Sequence, residues 1–332
     1  MRPLFFLFVA VSAFAADDNR LRIHELGKPG ADKLGDLPAR YAAAMSMAYT
    51  GEMPNPVFRL SNMAFLPEGR PERLDLYVQY ARDFKVRRPG VLFIHGGGFT
   101  GGDKAEYRSA SVSADLARAG YVVVSCNYVL GPKDKPGVWP RNIADCREAV
   151  RWMRANADAL GLDPDRIAVA GGSAGGYLAL MVGLSDDKTG PGGDPAAKVS
   201  AKVSAVIDMY GVVNFSKHGK GDVPGVPSAA QQAYLPELQC DAQDPAVLIL
   251  HGTADTTVDI AQSDAMAKAL RAAQTPYEYI VVDGAPHTFD LHPKGKGWKR
   301  SGVFARAEVN GSSDKPDLTE ATLDFLARTI GK

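Results

Sequence analysis

The sequence predicts an α/β fold, a mostly parallel central sheet flanked by helices. Short continuous apolar runs recur along it, amphipathic stretches separate them, and glycine-rich or polar residues follow directly after the runs. Apolar runs of this length read as strands buried on both faces, and strands alternating with helices give crossovers and a parallel sheet. Such sheets carry their sites at the carboxyl ends of the strands.

The elements follow in order. "RLDLYVQ" from Arg73 alternates as a half-buried strand does, and "GVLFIH" (90–95) and "YVVVSCNY" (121–128) are buried strands. Residues 141–160 place Ile143, Val150, Met153, Ala157 and Leu160 on one face of a helix. "RIAVA" (166–170) is a strand with a helix opening near Ala174, and "AVIDMY" (205–210) and "AVLILH" (246–251) are strands. A helix across 258–273, a strand "YEYIVVD" (277–283) and a helix near 317–330 complete the pattern. Stretches 189–195 and 212–240 read as insertions over the sheet edge.

Composition bounds the partners. The 332 residues are 45% hydrophobic and 23% charged, with Lys+Arg and Asp+Glu both at 38. With no net field, neither nucleic acid nor an anionic membrane surface is an expected partner. Arg2 precedes an apolar segment, Leu4 to Ala15, much shorter than the ~20 residues of a membrane span. With Ala13-Phe14-Ala15 as an A-x-A-like cleavage site, residues 1–15 read as a signal peptide and the protein as exported, periplasmic or secreted. Residues 16–70 have weak periodicity and read as an irregular N-terminal arm, and 71–332 as one catalytic domain. Cys126, Cys146 and Cys240 permit one disulfide, with the pair left open. None has metal-ligand spacing.

The strand ends carry the chemistry. After "VLFI" stands His95-Gly96-Gly97-Gly98-Phe99, and after "RIAVA" Gly171-Gly172-Ser173-Ala174-Gly175-Gly176. His251-Gly252-Thr253-Ala254-Asp255 follows "VLIL", and Gly284-Ala285-Pro286-His287 follows "YIVVD". Gly171-x-Ser173-x-Gly175 is a nucleophile elbow, a sharp strand-to-helix turn that lifts a serine hydroxyl above the sheet. The glycines remove side chains that would collide with the neighbouring strand and helix. A serine hydroxyl needs a base, and an imidazole with an ordinary pKa near ~6.5 suits that task. The imidazole needs a carboxylate to fix its tautomer. Glycine amides after His95, together with the helix opening at Ala174, can receive an oxyanion.

The combination resembles the α/β-hydrolase fold over roughly 70–330, on its H-G-G-G branch of hormone-sensitive-lipase-like esterases. "LDLYVQ", "HGGGFTGGDK" and "HGTADTTV" are similar to secreted bacterial acetyl- and feruloyl-esterase-like enzymes. The resemblance implies Ser173 as nucleophile, Asp255 as acid and His287 as base, with Gly97, Gly98 and Ala174 as oxyanion donors. It implies no cofactor and no metal. The expected activity is serine carboxylic-ester hydrolysis on short-chain or carbohydrate-linked acetyl or feruloyl esters, with a small-molecule or oligosaccharide ester as substrate. Lipase and peptidase activities are alternatives on the same fold. Thr288-Phe289 after the histidine, where the family often has Gly-Phe, and the tail 290–304 depart from the pattern.

Rival readings use the same residues. Gly96-x-Gly98-x-x-Gly101 matches a dinucleotide fingerprint, but the next strand ends in Ser125-Cys126-Asn127-Tyr128, without the acid that would hold a ribose. Asp208 competes with Asp255 as the acid. His95 and His251 read as residues that pin their loops, and His218 and His292 as solvated. Phe99 and Trp298 are the candidates for substrate contact, while Trp152 reads as core.

Overall fold

The computed structural model describes residues 23–25, 56–79, 86–132, 138–216, 219, 221–289, 304–309 and 318–331. Among the described residues ten strands form one sheet: β1 (Ile23–Glu25), β2 (Val57–Met63), β3 (Leu74–Gln79), β4 (Arg88–Ile94), β5 (Val122–Cys126), β6 (Leu162–Gly172), β7 (Ala205–Met209), β8 (Ala246–Gly252), β9 (Tyr277–Val282) and β10 (Phe304–Val309). Their order is β1-β2-β3-β5-β4-β6-β7-β8-β9-β10. The pairings β2–β3, β3–β5 and β9–β10 are antiparallel and the others parallel.

Both faces of the central strands are buried, as their unbroken apolar runs require. Leu92 and Ile94 of β4 face one core, shared with α2 (Arg141–Ala155), α4 (Ala174–Leu184) and α5 (Ala261–Ala273). Val91 and Phe93 face the other, shared with α1 (Tyr107–Arg118) and α6 (Leu318–Thr329). The stretch read as one helix over 141–160 is two. It breaks at Asn156, whose side-chain amide donates to the Trp152 carbonyl at 2.8 Å, and resumes as α3 (Ala157–Leu160). All five residues placed on its inner face are buried.

Three elements depart from the sequence reading. The segment read as an irregular arm supplies β1 and β2. The alternation in β2 is interrupted by a register shift between Leu60 and Met63, where Asn62 has φ 60°. One extra residue on a strand hides its period. Strand β3 is buried at Leu74, Asp75, Leu76, Tyr77 and Val78, not half-buried. Its polar positions are buried because partners meet them: Asp75 Oδ1 lies 3.0 Å from Lys104 Nζ and accepts the Asn62 amide at 2.8 Å. Third, β10 falls at the end of the tail and pairs with β9.

The Asp75–Lys104 pair has a large expected effect on folding. Both side chains are almost wholly buried, so removing one partner strands the other charge away from water. Lys104→Met is expected to lower unfolding free energy by about 3–5 kcal/mol. Urea titration followed by circular dichroism measures it. A loss under about 1 kcal/mol would place the pair among exposed bridges of little consequence.

Candidate active site

Adjacent strands β4, β6, β7, β8 and β9 run parallel, so the loops after them gather on one edge. Ser173 stands between β6 and α4 with φ 58° and ψ −122°, a left-handed conformation that few side-chain-bearing residues adopt. Its amide donates to the Met209 carbonyl at 2.8 Å, which ties the turn to the end of β7.

The glycines around Ser173 answer to close approaches. A Cβ on Gly175 would overlap the Ile94 carbonyl oxygen at the end of β4, and one on Gly171 would overlap Gly175 itself. The helix therefore starts against the strand with nothing between them. Gly172 is glycine for a different reason: the guanidinium of Arg108, from α1, occupies the place its side chain would take. The carboxylate of Asp208 does the same at Gly176.

The loop after β4 lies against this turn. A Cβ on Gly96 would sit 2.9 Å from the Gly172 carbonyl oxygen and 3.3 Å from Ser173 Cβ. Gly97 and Gly98 follow with φ 108° and 62°, and both are exposed. The turn is held by Gly101 and Thr100 amides donating to the Gly97 carbonyl at 3.0 and 3.2 Å. Ala174 is the first residue of α4, where an N–H has no partner within the helix.

Asp255 and His287 are brought together by paired loops. Thr253 and Ala254 amides donate to the Val282 and Ala285 carbonyls, each at 3.0 Å. Asp255 Oδ2 then lies 2.7 Å from His287 Nδ1. A carboxylate only accepts, so Nδ1 carries a proton, and in the neutral ring the lone pair is then on Nε2. Oδ1 accepts the Thr257 and Val258 amides at 2.8 and 2.9 Å. Burial pushes this carboxyl up, but the hydrogen bonds from His251, His287, Val258 and Thr257 outweigh it and hold the group well below the usual carboxylate range. Tyr210 packs edge-on against the His287 ring at 4.7 Å and receives a hydrogen bond from Arg108.

Asp208 takes no part in this pair. It is fully buried, its Oδ1 accepts the Gly211 amide at 2.9 Å, and burial raises it to about 7 against the opposing effects of His251 and that amide.

The model of the BD-FAE family matches residues 74–270. The chain belongs to the BD-FAE family. This BD-FAE protein is 30% identical over 241 residues to a probable carboxylic ester hydrolase, LipM, of Mycobacterium tuberculosis, covering 67% of this chain and 54% of the relative. The chain spans about half the length of the curated relatives it matches. A truncated carbohydrate esterase from gut microbiota superposes with a TM-score of 0.65 at 21% identity, over 82% of this chain and 96% of that one. Butyrate-bound esterase 2 of Thermogutta terrifontis gives 0.58 at 29% identity, over 69% and 84%. The BD-FAE protein has the α/β-hydrolase fold.

The remaining candidates divide. Phe99 is buried, with φ 64°, in a cluster with Trp139, Tyr177 and Phe215 at ring separations of 5.1–5.8 Å. Trp152 packs partly buried on the core. Trp298, His218, His292 and the segment Leu4–Ala15 lie outside the described residues. Cys126, Cys146 and Cys240 all carry free thiols. His95 Nδ1 contacts the Gly96 carbonyl at 2.7 Å and its ring stacks on Tyr128, which pins the glycine loop. Sequence reading missed Arg108 and Tyr210. The glycine at position 172, which no turn demands, was the one local sign of an intruding side chain.

Proposed function

We propose that this BD-FAE protein is a serine carboxylic-ester hydrolase in which Ser173, His287 and Asp255 form the catalytic triad. The observation that carries the reading is the His287 Nδ1–Asp255 Oδ2 bond of 2.7 Å, formed on the edge where Ser173 stands in its left-handed turn. His287 Nε2 takes the Ser173 hydroxyl proton as Oγ attacks the ester carbonyl. The amides of Gly97, Gly98 and Ala174 receive the oxyanion. The protonated imidazole then passes its proton to the departing alcohol, leaving an acyl-serine. Water, deprotonated by the same Nε2, attacks that ester and frees the acid. Asp255 remains a carboxylate throughout and offsets the charge on the imidazolium.

The substrate is proposed as a short-chain oxygen ester, carried on a small molecule or an oligosaccharide. Phe99 directly follows Gly98, and the Tyr177 amide donates to the Ser173 carbonyl at 3.1 Å. Their rings pack with Trp139 and Phe215, so the ground beside the donors is filled with aromatic side chains. That supports a small acyl group. The butyrate-bound neighbour is in keeping with it. No helix among the described residues is long and apolar enough to cross a membrane, and the apolar segment Leu4–Ala15 supports an exported enzyme.

Rates on p-nitrophenyl acetate, butyrate and octanoate, acetylated xylan and methyl ferulate test this. The rate is expected to be highest for acetyl or butyryl esters, with no rise above the substrate's solubility limit. Preference for octanoate, or activation at an oil surface, would replace the proposal with a lipase.

A further inference from the structure

Resting on that triad, we infer that His251 is a positioning residue for its acid. His251 is the next-to-last residue of β8, with no side-chain exposure, and its ring is held from three sides. Nδ1 lies 2.7 Å from the Ser263 hydroxyl on α5, and Nε2 lies 2.9 Å from the Val258 carbonyl oxygen and 3.2 Å from Asp255 Oδ2.

These partners place a proton on Nε2. A backbone carbonyl only accepts, so Nε2 must carry a proton. The Ser263 hydroxyl, which can donate or accept, meets Nδ1. The Nε2–H of His251 is therefore shared between Val258 and Asp255. Val258 closes the loop, since its own amide donates to Asp255 Oδ1.

Asp255 thus accepts from two imidazoles on Oδ2 and from two amides on Oδ1. Four donors leave the carboxylate no freedom to turn and little tendency to take a proton. When His287 becomes an imidazolium its Nδ1 proton stays where it is. A side chain that only pinned the 255–258 loop would need the Val258 contact alone. The approach to Oδ2, on the same oxygen that holds His287, points to a role in aiming the acid. Tyr210 covers the ring edge-on at 6.3 Å.

A double-mutant cycle separates aiming from folding. His251→Leu is expected to lower kcat by roughly 10- to 100-fold with KM little changed, the scale of a small misplacement of a catalytic group. In an Asp255→Asn background the same change is expected to cost less than about threefold, because the acid it aims is gone. His251→Gln, which keeps a donor at similar reach, is expected to recover most of the loss. Should His251→Leu not fold, Ser263→Ala, which frees Nδ1, replaces it in the cycle, with a smaller loss that again vanishes in Asp255→Asn. Equal fold-losses in both backgrounds, or an unchanged kcat, would overturn the inference. Ser173→Ala run alongside distinguishes the two readings: if it keeps the parent rate, the triad itself is at fault and not the part given to His251.

Discussion

Ser173→Ala is expected to lower ester turnover by about 10⁴-fold or more while leaving the fold intact. The turn does not depend on the hydroxyl. Its anchors are backbone groups: the Ser173 amide on Met209, and the Ser173 carbonyl receiving the Tyr177 amide. Alanine at φ 58° carries the same backbone strain as serine, so stability changes little. What remains is binding and the oxyanion donors, without the atom that attacks. A variant keeping a tenth of the activity, by initial rates on p-nitrophenyl acetate, would remove Ser173 from the reaction.

Asp255→Asn is expected to cost about 10⁴-fold in kcat, and the surrounding donors say why. The Thr257 and Val258 amides require an acceptor and turn the asparagine oxygen toward themselves. The NH₂ group then faces the N–H of both His287 and His251, donors against a donor. His287 relieves the clash by moving its proton to Nε2, the atom that must accept from Ser173. Asp208→Asn behaves differently. Asparagine still accepts the Gly211 amide, and activity is expected within a few-fold of the parent. Because burial holds Asp208 at about 7, its stabilising neutral form is lost as pH rises from the ordinary carboxylate range through that value. The asparagine variant should therefore gain stability relative to the parent over that interval and be no less stable at pH 8. Melting curves at pH 5 and pH 8 measure it. A larger rate loss for Asp208→Asn than for Asp255→Asn would move the acid to the end of β7.

How much of this was legible beforehand varied with locality. The buried strands announced themselves as apolar runs, and the placing of Ser173, Asp255 and His287 just after three of them needed only the order of the chain. Glycines at 171 and 175 could be read as a close approach because strand and helix are consecutive. What could not be read depends on distant partners. Asp75 alternates like a solvent-facing residue, yet it is buried because Lys104 reaches it from another loop. Arg108 fills Gly172 from more than sixty positions away, and nothing near either residue names the other. His251 read as a residue that pins its loop, and its ring does meet the Val258 carbonyl, but its approach to the Asp255 oxygen depends on how 255–258 turns back. The aromatic group beside the glycine loop draws Phe99, Trp139, Tyr177 and Phe215 from four separate segments, which no periodicity connects.

The central claim is a covalent acyl-enzyme on Ser173, and trapping it is the most direct test. The protein is mixed with p-nitrophenyl acetate, quenched in acid within the first turnovers, and digested for mass spectrometry. The expected result is one acetyl group on the peptide containing Ser173, absent from Ser173→Ala and accumulating in step with the burst of p-nitrophenol. An acetyl group on another residue, or full turnover with no acylated peptide at any quench time, would contradict the account.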